Sequence, residues 1–217
     1  MKHDHKPFKV VPTVGEGIYI SEDVAKILQL DPYKVRRLLN GFWDAYTFGE
    51  KRTKAINFYS LIEFFVYFHC RQHGMSAQRI KKYHNQLKED LNTKYPFAHY
   101  EIRTDFRNIW AIESGNLIKG DGKQQYDFLP LLDRFLHKIS YGKDKIAKQY
   151  FPLEKSHNVV VDPQHQFGQP TLNGTNIKTK TIYTLYRGGE KEKFISELYN
   201  IPLKKVKDAI AFHKQAA

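Results

Sequence analysis

Two short cassettes, one near each end of the chain, have the residue pattern of a helix–turn–helix unit. The first runs from Ser21 to Leu39 and the second from Phe194 to Phe212. In each, a short apolar helix and a tight turn precede a second helix with apolar residues on one face and cations on the other. Such a helix can lie against a negatively charged groove, so this layout favours a nucleic-acid contact over catalysis.

The length and composition of the chain are typical of a globular protein with more than one unit. The 217 residues are 41% hydrophobic and 14% aromatic, with 15 Phe and 14 Tyr. Aromatic side chains bury a large area each, so a stable core is expected. The pattern predicts two domains and a mainly α fold with small β elements, of the α+β class.

The positive charge of the chain is spread along its length. The 35 Lys and Arg against 23 Asp and Glu give a net charge of +12. Residues 1–96 carry 16 basic and 10 acidic side chains, and residues 97–217 carry 19 and 13, so each part contributes +6. A spread positive field attracts polyanions. A basic protein without such a partner is the alternative that charge alone leaves open.

The single cysteine and the hydrophobic runs exclude several classes. One cysteine, Cys70, excludes an internal disulfide and a multi-cysteine metal site, and its aromatic-rich surroundings predict a buried, inert thiol. No apolar run reaches the roughly 18 residues that a membrane span needs. The N-terminus has no apolar core of a signal peptide, so we expect a cytoplasmic protein.

The second helix of the first cassette is the candidate for contact with the DNA groove. Asp31 is placed to cap it, and Pro32 takes its first position, where no amide hydrogen is needed. Three apolar residues, Val35, Leu38 and Leu39, are expected on its inner face. The residues predicted to face the major groove are Tyr33, Lys34, Arg36 and Arg37.

A basic loop follows this helix between Thr47 and Lys54. We interpret it as the tip of a two-stranded wing whose return strand holds Ile56 and Phe58. Wing loops straddle phosphates, and an ordinary solvated hairpin loop is the alternative. The residues predicted to contact phosphates are Lys51, Arg52 and Lys54.

Two further helices are predicted before residue 96. Ser60 is placed to cap the first and Ser76 the second, which extends to about Asn92. The second helix has a narrow apolar stripe, which could form a dimer seam or pack on the chain's own body. Its members are Ile80, Tyr83, Leu87 and Leu91. On the first helix, His69 and His73 lie one turn apart without an evident third metal ligand.

The middle of the chain has no evident chemistry. Residues 100–128 are predicted to form short strands and turns, residues 129–139 a helix that ends at Ile139, and residues 140–156 a docked connector. The acidic residues there are scattered, without the spacing of a metal site or an acid–base pair. We therefore expect neither an enzyme nor a bound metal or cofactor.

The order of elements in the N-terminal half resembles the winged helices of MerR-type regulators. Those proteins have a helix–turn–helix, a wing, a helix pair and a long helix in this order. The resemblance implies binding of double-stranded DNA. No effector-binding domain of that family follows in this chain.

The C-terminal segment resembles the small prokaryotic family called domain of unknown function 433. The motifs that carry the resemblance are Val161–Pro163, Phe167–Pro170, Gly174–Ile177 and Gly188–Glu190, followed by a closing helix pair. The family implies a three-helix, homeodomain-like core. Members usually carry Arg where this chain has Asn176, so a contact made by that Arg would be altered here.

From about Gly17 onward, the chain resembles a longer type of antitoxin that is paired with PIN-type ribonuclease toxins, as in VapBC systems. Similar segments occur at Pro96–Ala98, Thr104–Asp105 and Tyr150–Leu153. The resemblance implies binding to double-stranded DNA at its own promoter for autoregulation, neutralisation of a PIN-like ribonuclease toxin, and a homodimer.

The cations of the second cassette are the candidates for the toxin contact. PIN ribonucleases use clustered carboxylates, so basic side chains near their active site would be favourable. The residues assigned to this contact are Lys204, Lys205, Lys207 and Lys214. A solvated helix face is the alternative. This second helix lacks an Arg, Asn or Gln placed to read base edges, so the cassette could serve protein interaction instead of DNA binding.

These resemblances divide the chain into four parts. They are a flexible N-terminal tail (1–16), a MerR-like winged helix–turn–helix domain with a long helix (17–96), an α+β connector region (97–156) and a homeodomain-like domain of unknown function 433 (157–217). The predicted function is that of a DNA-binding antitoxin and transcriptional autoregulator. The alternative is a protein-interaction module that does not bind DNA and uses the helix–turn–helix folds as a scaffold.

Overall fold

The computed structural model describes residues 13, 15–41, 43–49, 54–72, 74–99 and 136–215. Most of the predicted N-terminal tail, the strands expected at 100–128, His73, and the phosphate-contact residues Lys51 and Arg52 lie outside these ranges. Within them, α-helices dominate and the strands are short and antiparallel. The predicted α+β class is therefore confirmed.

The α-helices and β-strands of the described residues are named here in chain order. The helices are α1 (Ser21–Leu28), α2 (Pro32–Leu39), α3 (Phe58–Gln72), α4 (Ala77–Asp90), α5 (Thr179–Arg187), α6 (Glu192–Leu198) and α7 (Leu203–Gln215). The strands are β1 (Tyr19–Ile20), β2 (Ala55–Ile56), β3 (Ile139–Tyr141), β4 (Ala147–Tyr150), β5 (Val159–Val160) and β6 (Thr171–Leu172). The strands pair as β1–β2, β3–β4 and β5–β6.

The predicted wing differs from the observed strands. β2 pairs with β1, with Tyr19 opposite Ile56, and Phe48 joins through an isolated bridge to Ala55. Phe58 was expected on the return strand, but it begins α3. The strand ends early because Asn57 caps the helix: its side-chain oxygen accepts a hydrogen bond from the Ser60 amide at 2.9 Å. The prediction that Ser60 caps this helix is therefore wrong.

The larger hydrophobic core of the described residues lies among α1–α4 and the β3–β4 hairpin. Its largest fully buried side chains include Trp43, Phe58, Phe64 and Phe97. Cys70 is fully buried in this core, and burial raises the pKa of its thiol, as expected for an inert residue.

The apolar stripe of α4 packs on the chain's own body. Ile80, Tyr83 and Leu87 are buried in the larger core, and Ser76 caps the helix through its hydroxyl, which accepts from the Arg79 amide at 3.2 Å. The opposite face of α4 is exposed and polar. The stripe is thus not available as a dimer seam, and the homodimer stays a prediction.

A buried polar pair crosses this core. Nε2 of His84 lies 2.9 Å from Oε2 of Glu63, and both side chains are at most 1% exposed. The other carboxylate oxygen of Glu63 accepts from the amide of Phe97 at 2.8 Å. Burial raises the pKa of Glu63, while the hydrogen bond from His84 opposes that rise. The pair joins α3 and α4 to the 3₁₀ turn at Pro96–Ala98.

The region between residues 139 and 156 contains a hairpin where we expected a helix end and a connector. Ile139 is not the last residue of a helix; it begins β3 and pairs with Tyr150 of β4. Both residues are buried in the larger core. The polar turn at 142–145 joins the two strands, and the hairpin continues to the next strand because Tyr150 also bridges to Val161.

The smaller core of the described residues lies among α5, α6 and α7. Leu172, Ile182, Ile195 and Val206 are among its buried members. The expectation that Val206, Ala209, Ile210 and Phe212 pack inward is confirmed, because each is at most 4% exposed. The two cores do not test the predicted division of the chain into four parts, which stays a prediction.

Candidate nucleic-acid interface

The turn between α1 and α2 fixes where α2 points. Gln29 has a left-handed backbone (φ 54°) that ends α1, and the Leu30 amide donates to the carbonyl of Ala25 at 2.8 Å. Asp31 then caps α2, because its carboxylate accepts from the Lys34 amide at 3.0 Å. Pro32 takes the first helical position, as predicted.

The inner face of α2 is buried and its outer face is cationic. Val35 and Leu39 are at most 1% exposed, whereas Tyr33 is 70% exposed. The other three candidate residues, Lys34, Arg36 and Arg37, are also exposed. The periodicity of an α-helix separates the two faces in this way, so the four side chains predicted to meet DNA lie together on the solvent side.

The charges of Arg36 and Arg37 affect the pKa of residues on two different neighbouring helices. The charge of Arg36 adds to the lowering of the Glu22 pKa on α1, which is due mainly to the hydrogen bond from Ser21. The charge of Arg37 opposes the rise that burial causes in the pKa of Tyr67 on α3. The charge of Arg36 thus acts on a residue of α1, and the charge of Arg37 acts on a residue of α3.

Lys54 lies at the C-terminal end of α2. Its Nζ donates to the carbonyl of Leu39 at 3.4 Å, and its side chain is half-buried. A cation at this position is favourable for the helix dipole. Lys54 thus lies beside α2 and stabilises its C-terminal end. A lysine at the tip of a fully solvated loop would not make this contact.

The four lysines assigned to a toxin contact do not form one cluster. Lys204 and Lys205, in the first turn of α7, donate to the carbonyls of Ser156 at 3.3 Å and Asn173 at 2.8 Å. Lys207 is exposed. Lys214 is ten residues beyond Lys204, about 15 Å along the helix, and its Nζ contacts the Tyr186 hydroxyl at 3.1 Å.

Exposed apolar side chains occur outside the residues that were predicted to form a site. Phe167 is 76% exposed, and Phe194 and Leu198, one turn apart on α6, are 48% and 56% exposed. Phe167 also has a left-handed backbone, with φ 54°. The spacing of Phe194 and Leu198 in the sequence could have indicated a shared face, but nothing in the sequence indicates that Phe167 is exposed.

The loop that holds Phe167 contacts the N-terminal region. The Ile18 amide donates to the carbonyl of Phe167 at 3.3 Å. The next residue, Gly168, has φ +81°, and a Cβ there would overlap the Tyr19 hydroxyl. Tyr19 is fully buried, and its pKa is raised by burial and by the charges of Asp162 and Asp23. The loop therefore covers Tyr19 and joins the two helix–turn–helix regions.

The described residues offer no evident metal centre. No group of three or more His, Cys, Asp or Glu side chains suited to a metal ion occurs in the described ranges. His69 is half-buried, and its ring packs edge-on against Phe65 at 4.6 Å between ring centres. Among the described residues, no helix is long and apolar enough to cross a bilayer.

Comparison with known proteins supports part of the predicted resemblance. Residues 159–213 match the family described as "Protein of unknown function (DUF433)", which confirms the resemblance of the C-terminal segment. Two proteins of Mycobacterium tuberculosis (strain ATCC 25618 / H37Rv) are similar in sequence. "Putative antitoxin VapB45" is 24% identical over 166 residues, which are 70% of this chain and 69% of that protein. "Uncharacterized protein Rv2308" is 25% identical over 150 residues, 60% of this chain and 58% of that protein.

A solved structure has a similar fold. The crystal structure of Rv2018 from Mycobacterium tuberculosis superposes with a TM-score of 0.72 at 18% sequence identity. The match covers 88% of this chain and 96% of that chain. At this level of identity, the similarity concerns the fold alone.

Proposed function

We propose that the chain is an antitoxin that binds double-stranded DNA at its own promoter through α2 and neutralises a PIN-like ribonuclease toxin. The observation that carries the DNA half is the outer face of α2, where Tyr33, Lys34, Arg36 and Arg37 are exposed on a capped helix. The similarity to a protein named as an antitoxin supports the toxin half.

The roles of the α2 side chains follow from their chemistry. A guanidinium group can donate two parallel hydrogen bonds to a guanine edge, so Arg36 and Arg37 are the residues that read sequence. Lys34 and Lys54 contribute charge to the phosphates, which positions α2 without reading bases. Lys51 and Arg52 are assigned to phosphates on sequence grounds alone.

The toxin contact is assigned to the second cassette. Phe194 and Leu198 supply exposed apolar area on α6, and apolar anchors provide most of the affinity in protein interfaces. The lysines of α7, Lys204, Lys205, Lys207 and Lys214, supply charge that complements an acidic active site and speeds association.

The test compares the wild-type chain with the double variant Arg36→Ala, Arg37→Ala. Both are assayed for gel retention of the DNA upstream of the gene and for co-purification with a ribonuclease encoded beside it. We expect the variant to lose DNA retention, because each bidentate contact contributes about 1–3 kcal/mol, and to keep the ribonuclease. Normal DNA retention by the variant would remove α2 from the assignment. Failure of the wild type to co-purify with the ribonuclease would remove the toxin half.

The alternative function is protein interaction alone, with the helix–turn–helix folds as a scaffold. The exposure of Phe167 and Leu198, at 76% and 56%, favours this candidate. Salt separates the two functions, because several phosphate contacts predict an affinity that falls at least tenfold between low and moderate salt. Absence of DNA retention by the wild type at low salt would favour interaction alone.

A further inference from the structure

A small cleft lies between the turn of the first cassette, α3 and the β3–β4 hairpin, and its volume is about 160 Å³. Apolar residues of all three elements line it, among them Leu28, Leu30, Phe65, Phe68 and Tyr150. The rings of Phe65 and Tyr150 pack together, with 4.8 Å between their centres, so one wall is aromatic. An apolar cavity of about 150 Å³ is large enough for a benzene molecule, so this cleft accommodates a body of that size.

The cleft reaches the surface of the described structure. Two exposed residues, Gln29 and Gln72, line it, and Leu28, Leu30 and Phe68 in its walls are half-buried. The walls therefore keep apolar area in contact with water. A ligand with an apolar body would remove that area from water, which is favourable.

One cation lies among these apolar walls. Of the described residues that line the cleft, none is acidic and one, Lys138, is a lysine. It directly precedes β3, and its Nζ donates at 3.0 Å to the carbonyl of Pro152, which also lines the cleft. An ammonium group has three N–H donors. Because this bond uses one of them, two are left for a ligand.

The surroundings of Lys138 favour an anion in that place. Lys138 is half-buried, and burial lowers the pKa of its ammonium group because the charged form loses hydration. The charge of Glu154 opposes this shift, but Glu154 is exposed, so water screens it. Lys138 has no ion pair in the described part of the chain. A carboxylate in the cleft would supply that partner.

The cleft also adjoins the turn that directs α2. Gln29 and Leu30 line it, and these two residues end α1 through the left-handed backbone of Gln29 and the bond from the Leu30 amide to the carbonyl of Ala25. A ligand in the cleft therefore contacts the segment that sets the direction of the candidate DNA-binding helix.

We propose that this cleft is a binding site for a small carboxylate with an aromatic or branched apolar body. The body lies against Leu30, Phe68 and Tyr150, and the carboxylate accepts hydrogen bonds from Nζ of Lys138. Apolar walls with one polar group that fixes the orientation are typical of small-molecule sites. The inference goes beyond the proposed function and does not depend on binding of DNA or of a toxin.

The experiment titrates the protein with benzoate and with benzamide and follows the amide signals by NMR. Benzamide has the size of benzoate without its charge, so the pair isolates the contribution of the carboxylate. We expect benzoate to shift the signals of Leu30 and Tyr150 in a saturable way. It should bind at least about tenfold more tightly than benzamide, because a hydrogen bond between charged groups contributes at least that factor.

Two lysine variants test the role of Lys138. Lys138→Met should lower the affinity for benzoate at least about tenfold and leave that for benzamide unchanged. Lys155→Met is the matched control and should bind benzoate as the wild type does. Lys155 also donates to a backbone carbonyl, that of Ile139 at 3.1 Å, but it does not line the cleft.

The outcomes separate this site from the proposed function. Equal loss of benzoate affinity in the two variants overturns the inference. If Lys138→Met has a lower thermal midpoint than the control, the wild type decides: equal affinity for benzoate and benzamide, or shifts confined to residues away from the cleft, overturns it. Absence of DNA retention by the wild type would overturn the proposed function and leave this site in place.

Discussion

The two helix–turn–helix cassettes close their turns with the same backbone geometry and present different chemistry. Gln29 and Asn200 both have a left-handed backbone, with φ 54° and 48°. In each cassette the amide of the following residue bonds to the carbonyl five residues earlier, at 2.8 and 3.0 Å. This is a common way to end a helix, and it directs the next helix across the first.

The side chains around the two turns differ. In the first cassette the Asp31 carboxylate accepts from the backbone of α2. In the second, the Ser196 hydroxyl donates to the carbonyl of Ile201 at 2.5 Å. The exposed residues differ as well, because α2 presents arginines, whereas Lys204 and Lys205 of α7 bond to backbone carbonyls of their own region. Turn geometry thus fixes the direction of the second helix, and the surface side chains decide what it can contact.

The largest expected effect is that of a substitution at Gly168, where the loop of the C-terminal region contacts Tyr19 of the N-terminal region. Gly168→Ala would place a Cβ against the buried Tyr19 hydroxyl and force a left-handed backbone on a non-glycine residue. We expect a loss of about 2–3 kcal/mol in the free energy of unfolding. Urea denaturation, with the unfolding of the N-terminal and C-terminal regions monitored separately, measures this loss. It also tests whether the two regions of the variant unfold in separate steps.

Gly174 provides the matched control for that change. It also has a positive φ, of +73°, but the nearest atom to an added Cβ is the flexible end of Lys205, at 4.0 Å. Gly174→Ala should therefore cost only the backbone strain, about 1 kcal/mol. Equal losses at the two glycines would show that contact with Tyr19 does not hold the regions together.

Acid should weaken the second cassette before the first. The pKa of His213 is lowered to about 4 in the folded chain, against about 6.5 when unfolded. The unfolded state therefore binds the proton first, and the stability that the neutral ring contributes is lost as pH falls from about 6.5 to about 4. We expect a fall of about 1–2 kcal/mol across this window, measured as the urea midpoint of the C-terminal region.

Replacing the ring tests the assignment of that pH dependence. His213→Phe keeps an aromatic ring against Tyr183 and should flatten the pH profile between about 4 and about 6.5. His157→Gln, which removes a histidine outside the core, should leave the profile unchanged. A profile that stays steep in His213→Phe would assign the titration to another group.

The smallest effects are expected at the side chains that close the two turns. Asp31→Ala removes the cap of α2, and Ser196→Ala removes the hydrogen bond to Ile201. Each should cost about 0.5–1 kcal/mol. Because the two sites share no partner, the losses should add in the double variant within about 0.5 kcal/mol. A larger deviation in thermal or urea unfolding would show that the two turns are coupled.

Local chemistry made several features predictable from the sequence. Asp31 followed by Pro32 identified the start of α2, and Ser76 identified the start of α4, because capping depends on neighbouring residues. The burial of Val206 and Phe212 followed from helical periodicity. The motifs after residue 159 likewise indicated the family that the comparison found.

Features that depend on distant residues were not predictable in the same way. The pairing of β2 with β1 joins segments separated by α1 and α2, and the short hairpin after Ile139 has no strong alternation. For the candidate interface, exposure of the α2 cations was expected, whereas the contact of the loop at 167–168 with Ile18 and Tyr19 depends on how two distant segments pack. Long-range packing of this kind leaves no periodic signal in either segment.

The contact between Glu63 and His84 restricts which substitutions the core can accept. Both side chains are almost fully enclosed, with the aromatic rings of Trp43 and Phe97 edge-on to the imidazole at 5.2 and 4.9 Å between centres. A single substitution at either position would strand a polar atom away from solvent, at a cost of about 1–3 kcal/mol. Replacement of both residues at once by apolar residues of matching volume would remove this contact without leaving such an atom.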